Sequence, residues 1–440
     1  MNILIIDQMG AALDIALRYI AHGHKVRVFI RHTKDGARSR VGDGLIERIA
    51  HWEPSMKWAD LIFVTDNTYY IAGLDRYHKQ GYPIFGPTMA ATELELNRKK
   101  GDEIFKKAGI ATIPSTQFTK YDEALAFVKK TMKRYVSKPD DDDDKSMSYV
   151  SKGPADLVYM IEHWKKANKI KSSFILQEFT AGTEMAVGGW FGPGGFNKQL
   201  CENWEFKKLM NDDLGVATGE QGTILRYVSE SKLADKVLLP LEGILHGLGY
   251  VGYIDVNCII DDKGNPWPLE FTMRPGWPCF QIQTSLHKGD DAEWMLDLVD
   301  GHDSLKTSNK VACGVVLSVP DYPYSRLTKK EVTGIPIYGV DMEDALTDFH
   351  LSEAMWGKAP IEENGKIKEK EMFVSAGDYI LTVCGSGSTI DEARTKAYKN
   401  VKKVSMPNSM MYRTDIGCRL EEQLPKIQEH GFAEGLVFCE

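Results

Sequence analysis

Residues 249–276, GYVGYIDVNCIIDDKGNPWPLEFTMRPG, decide how the chain is read. Tyr250 to Ile260 is rich in β-branched and aromatic residues, and Pro266 to Thr272 reads as a second strand. DDKGN between them is turn chemistry, with Gly264 free to take positive φ. A turn centred on Lys263 and Gly264 sets Asp255 opposite Thr272 and Asn257 opposite Glu270. Strand alternation then places all four side chains on one face, with Arg274 following on the same side. Two carboxylates, oxygen-bearing neighbours and an arginine suit Mg²⁺ held between phosphate oxygens, because that ion takes hard oxygen ligands and keeps waters. The same pattern suits a hairpin with a solvated polar face. The hairpin by itself does not choose between the two.

The surrounding 440 residues are too many for one ordinary core, and two to four domains are expected. With 43% hydrophobic and 26% charged residues the chain is built to pack, not to stay unfolded. A net charge of −8 gives no global field that draws in nucleic acid or an anionic membrane, so small molecules are the expected partners. Monomer and homodimer are both left open by the sequence. The seven cysteines, at 201, 258, 279, 313, 384, 418 and 439, are odd in number and show no CxxC spacing. That predicts buried thiols in a reducing compartment over a disulfide frame or a zinc site. The apolar run ILII meets Asp7 at once, too short for a signal peptide, and no run reaches membrane length. The expectation is a cytoplasmic protein of several domains.

NILIID, KVRVFI, ADLIFVTD and YPIFG are short apolar strands separated by helical stretches, the pattern of a parallel α/β sheet. The first turn, DQMGAALD, would be the ligand loop of such a sheet. It holds only Gly10, so the dinucleotide fingerprint is missing and a nicotinamide oxidoreductase is disfavoured. TELELNRKKGDEIFKKAGI reads as a helical stretch whose cluster Arg98-Lys99-Lys100 is either a solvated face or a source of cations for phosphate. RYVSKP is a strand ending in Lys138, followed by five aspartates (140–144) and Lys145, read as an exposed loop. FILQEF ends in Gln177, Glu178 and Phe179, and the next strand carries Glu184. The stretch DDLGVATGEQGT (212–223) can present backbone N–H groups to an anion. LADKVLLPLEGILHGLG is read as one helix. A boundary follows Asp300-Gly301, and the remainder is a compact α+β tail.

This order of strand-end Lys138, QEF, GTE, glycine loop and LEFTMR resembles the ATP-grasp superfamily. The chain is similar more narrowly to the phosphoribosylamine–glycine ligases, most specifically in GDYILTVCGSGSTIDEARTKAYKNVKKV and MYRTDIG (411–417), with GPT (86–88), EFKK (205–208) and GNP (264–266) in family order. The resemblance implies an α/β (α+β) architecture: a Rossmann-like domain over 1–87, an ATP-grasp domain over 88–305 with a small lid at about 112–182, and a carboxy-terminal α+β domain over 306–440. It implies ATP with Mg²⁺, or Mn²⁺ in its place, as cofactors. Arg98 and Lys138 would meet ATP phosphates, Gln177, Glu178 and Phe179 adenine, and Glu184 the ribose. Glu270, Asp255 and Thr272 would form the metal set, and Arg274 and Lys207 the catalytic pair. Asp213, Gly215, Thr218, Gly219 and Gly222 would bind substrate.

Three features depart from the family. The loop after Lys138 is acidic where the family's is rich in glycine. Thr272 replaces an asparagine, which thins the metal shell. The first loop places Met9, Gly10, Ala11, Ala12 and Leu13 where the family has a polar Gly-Gly-Arg-Glu-His set. The resemblance thus implies an ATP-dependent carboxylate–amine ligase working through an acyl phosphate, with glycine or another small amino acid as one substrate and phosphoribosylamine a poor partner for it. The alternative is a catalytically weak nucleotide-binding relative with a regulatory or binding role.

Overall fold

The computed structural model describes all residues except 9, 33–37, 140–146, 169–172, 325–328, 408–409 and 440. The expected acidic loop, Asp140 to Asp144 with Lys145, lies outside the described residues, as does Met9. The chain opens with β1 (Asn2–Asp7), α1 (Leu13–Ala21), β2 (Lys25–Ile30), β3 (Glu47–Ile49), β4 (Leu61–Val64), α2 (Ile71–Lys79) and β5 (Ile84–Phe85). These strands form a parallel sheet ordered β3-β2-β1-β4-β5, so the order reverses between β1 and β4. Such a switch point opens a crevice at the carboxyl ends of the strands.

The next stretch is two helices, not one: α3 (Met89–Leu96) and α4 (Arg98–Lys107). Asn97 is extended (φ −121°) and its side chain accepts from Lys100 N–H, capping α4 and putting Arg98 in its first turn. Then come β6 (Ser115–Phe118), α5 (Tyr121–Thr131), β7 (Tyr135–Pro139), β8 (Tyr149–Val150), α6 (Pro154–Lys166) and β9 (Phe174–Glu178). They make an antiparallel sheet, β6-β9-β7-β8, with a hydrophobic core of its own that includes Phe118, Leu157, Trp164 and Phe174.

The largest sheet begins with β10 (Thr183–Gly192), β11 (Gly195–Glu205) and β12 (Gly222–Val228). The helix expected after it is broken. It divides into α7 (Lys232–Val237), a 3₁₀ turn at Leu239–Leu241 and α8 (Glu242–Gly247), because Pro240 cannot donate within a helix. β13 (Gly252–Ile260) and β14 (Pro266–Thr272) follow, then α9 (Cys279–Thr284), β15 (His287–Lys288), α10 (Asp291–Val299) and β16 (Lys306–Thr307). The remainder comprises β17 (Val311–Ser318), α11 (Lys329–Val332), α12 (Met342–Ala345), β18 (Phe349–Leu351), β19 (Ala354–Glu363), β20 (Lys366–Ser375), β21 (Tyr379–Gly387), α13 (Ile390–Val401) and α14 (Leu420–Gln428).

Eight of these strands form one sheet, ordered β14-β13-β10-β11-β12-β17-β21-β18. The pairing of β12 with β17 carries it without a break past Gly301 into the carboxy-terminal part. One continuous core joins this sheet to the parallel sheet, with the Trp190 ring in contact with Trp294, Phe85 and Phe280. Cys201, Cys258, Cys279, Cys313 and Cys384 are buried thiols as expected, whereas Cys418 and Cys439 are exposed. Among the described residues no helix is long and apolar enough to cross a membrane.

Candidate active site

The β13–β14 hairpin sets Asp255 opposite Thr272 and Asn257 opposite Glu270, the pairing its sequence predicts. The turn itself differs. Cys258 pairs with Pro268 and Ile260 with Pro266, so the register shifts by one residue just beyond Asn257. Asp261 closes the turn by pairing with Asn265 and accepting from Gly264 N–H. The cause lies in β14, an edge strand with prolines at 266 and 268. Neither can donate to the ladder, and a bulge between Pro268 and Glu270 absorbs the slip. The bulge is what returns Glu270 to the face that carries Asn257.

On that face four carboxylates and amides meet one ammonium. Lys207 Nζ lies 3.0 Å from Glu205 Oε2, 3.1 Å from Glu270 Oε1 and 3.6 Å from Glu184 Oε1. Asn257 Nδ2 donates to Glu184 Oε1 (2.8 Å) and Glu205 Oε2 (3.2 Å). Arg98 Nη1 stands 3.6 Å from Glu270 Oε2, while its Nε donates to the carbonyl of Pro139 in the small sheet. Lys207 holds the Glu270 carboxyl well below the usual carboxylate range against the cost of burial, with help from Arg98 and Lys138. Against the desolvation it meets in the cleft, the Lys207 ammonium is pushed well up by Glu205, Glu270 and Glu184. Lys138 is pushed down to about 8, mainly by burial, with Arg98 and Lys207 adding repulsion and Glu270 and Glu184 opposing it.

Between the small sheet and this face runs a cleft lined by Arg98, Phe105, Lys138, Ile175, Gln177 and Glu270. Apolar walls at one part and cations around a carboxylate at another match a ligand with a flat ring and phosphates. Gln177 lines the cleft, but the backbone donors of its neighbours are used internally: Glu178 N–H bonds Pro114 and Phe179 N–H bonds Arg134. Glu178 pairs with Lys133, and the Phe179 ring lies under the Arg134 guanidinium.

Asp255 is buried, and its Oδ2 accepts from Asn203 Nδ2 (2.8 Å) and Tyr253 OH (3.1 Å). Burial and the nearby Glu205 raise its carboxyl to about 7. It is therefore a weaker cation ligand than Glu270. Among the described residues no three His, Cys, Asp or Glu side chains converge as a metal cage. Asn257 Oδ1, opposite Glu270, is a buried acceptor with no hydrogen-bond partner. Glu270, Asn257 and Thr272 thus fit an ion that takes few protein oxygens and completes its shell from water and phosphate, as Mg²⁺ does.

The glycine loop is placed differently from the expected anion cradle. Thr218 donates both N–H and hydroxyl to the Lys207 carbonyl (2.8 Å each), Gln221 N–H bonds Phe206, and Leu209 N–H bonds Val216. Gly222 starts β12, and Gly215 makes its turn at φ +79°. The loop so folds back on the EFKK segment and fixes Lys207 from behind. Asp213 is drawn outward, pairing with Arg413 (2.8 Å) and Arg419 (3.1 Å). Gly219 has open space around its Cα.

Arg274 stands apart from this cluster, on the side of the parallel sheet. Its Nη2 lies 3.3 Å from Glu95 Oε1 and its Nε 3.7 Å from Asp66 Oδ2. Four residues of this surface escaped the sequence reading: Glu95, Asn203, Glu205 and Glu220. A signal existed for two of them, because Asn203, Glu205 and Lys207 alternate along one strand and its extension. Glu220 is fully buried, its carboxyl pushed well up by burial and by Glu205.

Residues 312–419 match the family Phosphoribosylglycinamide synthetase, C domain. The chain is 24% identical over 436 residues to the phosphoribosylamine–glycine ligase of Halalkalibacterium halodurans, covering 95% of this chain and 97% of that one. Its fold is similar to the crystal structure of phosphoribosylamine–glycine ligase from Thermotoga maritima (TM-score 0.69, 20% identity, 95% of this chain and 100% of the other). It is also similar to the biotin carboxylase domain of Hydrogenobacter thermophilus 2-oxoglutarate carboxylase, solved with MgADP and bicarbonate (TM-score 0.62, 12% identity, 97% and 98%).

Proposed function

We propose that this chain, an ATP-grasp protein similar along nearly its whole length to phosphoribosylamine–glycine ligases, is an ATP-dependent ligase that joins a carboxylate to an amine. The observation that carries the reading is the convergence of Lys138, Arg98 and Lys207 on Glu270, in the cleft between the small sheet and the eight-stranded sheet. ATP would lie there with its base against Phe105 and Ile175 and its phosphates toward Lys138 and Arg98. Glu184, held by Asn257 and Lys207, is placed to accept from ribose hydroxyls. Glu270, Asn257 and Thr272 would hold one Mg²⁺, which lends charge neutralisation to the transferring phosphoryl.

The chain's own residues do the rest by position. Lys207, fixed by the glycine loop and three carboxylates, keeps its proton and a full positive charge facing the phosphates. Arg274 faces the other end of the reacting centre, where the carboxylate of a small amino acid such as glycine would be phosphorylated. The amine then displaces phosphate to leave the amide. The small sheet, with its separate core, is the element suited to close over the cleft and keep water from the acyl phosphate.

The test is ADP release measured with MgATP, glycine and a panel of amines, with mass spectrometry of the products. The reading requires ADP in proportion to a new amide. ADP release that ignores both added substrates, or none at all, removes it.

A further inference from the structure

The loop after β1 is closed on itself. Asp7 is fully buried, and its carboxylate turns back into the loop. Oδ1 accepts from the backbone N–H groups of Gly10 (2.9 Å) and Ala11 (3.2 Å), and Oδ2 from that of Ala12 (2.9 Å). The Thr65 hydroxyl, just past β4, donates to Oδ1 as well (3.1 Å). Gly10 takes φ +83°, the left-handed conformation that lets the backbone curl around the carboxylate. A βα turn at a sheet's switch point offers such amides to a ligand phosphate. Here a side chain of the protein already holds them.

The rim next to this loop is rich in acceptors. Asp66 and Glu95 flank Arg274, two negative charges to one positive. Asn67, 1% exposed, donates through Nδ2 to Glu95 Oε2 (2.7 Å), and its Oδ1 is buried with no hydrogen-bond partner. Thr65, Asp66 and Asn67 are consecutive, and Trp277 Nε1 donates to the Thr65 carbonyl (3.2 Å), tying the loop to the segment that carries Arg274. Arg31, at the base of the loop, lies over the Tyr69 ring and donates to the Gln8 carbonyl.

We propose that the amine ligated by this protein carries no phosphate and binds as an ammonium ion at Asp66, Asn67 and Glu95 beside Arg274, with Asp7 closing the loop against a phosphorylated one. The inference rests on the ligase reading above and specifies its second substrate. A phosphate at the loop faces the Asp7 carboxylate and forgoes its amide donors. Each charge-assisted hydrogen bond so lost weakens binding roughly tenfold or more. An ammonium instead supplies the donor that the Asn67 oxygen lacks, and adds positive charge beside two carboxylates that share the Arg274 guanidinium. In the reaction it gives one proton to a rim carboxylate. Its freed lone pair forms the C–N bond, the acyl C–O bond breaks with its electron pair passing to the departing phosphate, and the second nitrogen proton leaves with that phosphate.

Two measurements decide it. The first is calorimetric titration of the wild-type protein and of Asp7→Gly with ribose 5-phosphate, which needs no turnover. The expected wild-type Kd is no tighter than about 1 mM, and Asp7→Gly should tighten it about tenfold or more. A wild-type Kd in the micromolar range overturns the inference, as does tight binding by both proteins. If Asp7→Gly does not fold, Asp7→Asn is used in its place, with the same direction expected because the charge is gone. The second is steady-state kinetics with MgATP and glycine, comparing phosphoribosylamine with unphosphorylated amino compounds. At least one of the latter should exceed phosphoribosylamine about tenfold or more in kcat/KM, and Glu95→Gln should raise its KM while leaving the KM for ATP unchanged. Preference for phosphoribosylamine overturns the inference and leaves the ligase reading standing. No ADP release with any amine removes the ligase reading, and the titration still decides whether the loop refuses phosphate.

Discussion

Lys207 Nζ sits 3.1 Å from Glu270 Oε1, joining the extension of β11 to β14, three strands away in the eight-stranded sheet, at the floor of the cleft. Neither residue is a fixture of the core. Glu270 is 40% exposed and Lys207 33% exposed at their side chains, so the pair faces the cleft. Replacing Glu270 by Gln removes the charge that balances three cations and the carboxylate best placed for Mg²⁺. Ligase turnover should fall by about 10²-fold or more, while the melting temperature stays close to that of the wild type. ADP production and thermal unfolding on one preparation check both. An active Glu270→Gln protein would sink the assignment.

Lys138 supplies a pH dependence. Its ammonium, pushed down to about 8 by burial and by Arg98 and Lys207, is charged below that pH and neutral above it. Phosphates bind the charged form, so the KM for ATP should rise as pH climbs through about 8. Lys138→Arg keeps its charge throughout, because a guanidinium titrates above about pH 12. The rise should then vanish. A profile unchanged by the substitution would mean that Lys138 does not meet the phosphates.

How much of this could be read beforehand differs by residue. The Asp255–Thr272 and Asn257–Glu270 pairings followed from strand periodicity and turn chemistry alone. The one-residue slip at the turn did not, because the two prolines of β14 act through the ladder and not through the pattern of side chains. Glu95 reaches the Met273 N–H (2.6 Å) from a helix nearly two hundred residues away, a contact that no local spacing encodes. The same holds for Asp7, whose carboxylate reads in sequence as a strand end. Only its hydrogen bonds to the following turn reveal that it occupies the loop.

Arg413 tests how the carboxy-terminal segment supports the site. It is 1% exposed at its side chain, pairs with Asp415 (2.7 Å) and Asp213 (2.8 Å), and donates to the Lys208 carbonyl (3.1 Å). Arg413→Met breaks a buried, hydrogen-bonded ion pair and should cost about 3 kcal/mol of stability. Asp213 is itself 45% exposed, so most of that loss belongs to Asp415 and the carbonyl. Chemical denaturation reads the stability. A rise in KM for the amino acid, with that for ATP unchanged, would show that the strut acts through the glycine loop. A variant as stable as the wild type contradicts the strut.

Arg274 is expected to act on the reacting centre. Arg274→Lys keeps a charge but cannot span Glu95 and Asp66 with a planar fork. Its kcat should drop by about 10²-fold with little change in the KM for ATP. Equal losses in ATP binding would place Arg274 at the nucleotide instead.

The most direct measurement follows the oxygen. Glycine labelled with ¹⁸O in its carboxylate is incubated with the enzyme, MgATP and the amines, and the inorganic phosphate is analysed by mass spectrometry. If the carboxylate attacks ATP and an acyl phosphate is then displaced by an amine, one labelled oxygen must appear in phosphate for each amide formed. Unlabelled phosphate, with or without ADP release, would contradict the ligase account.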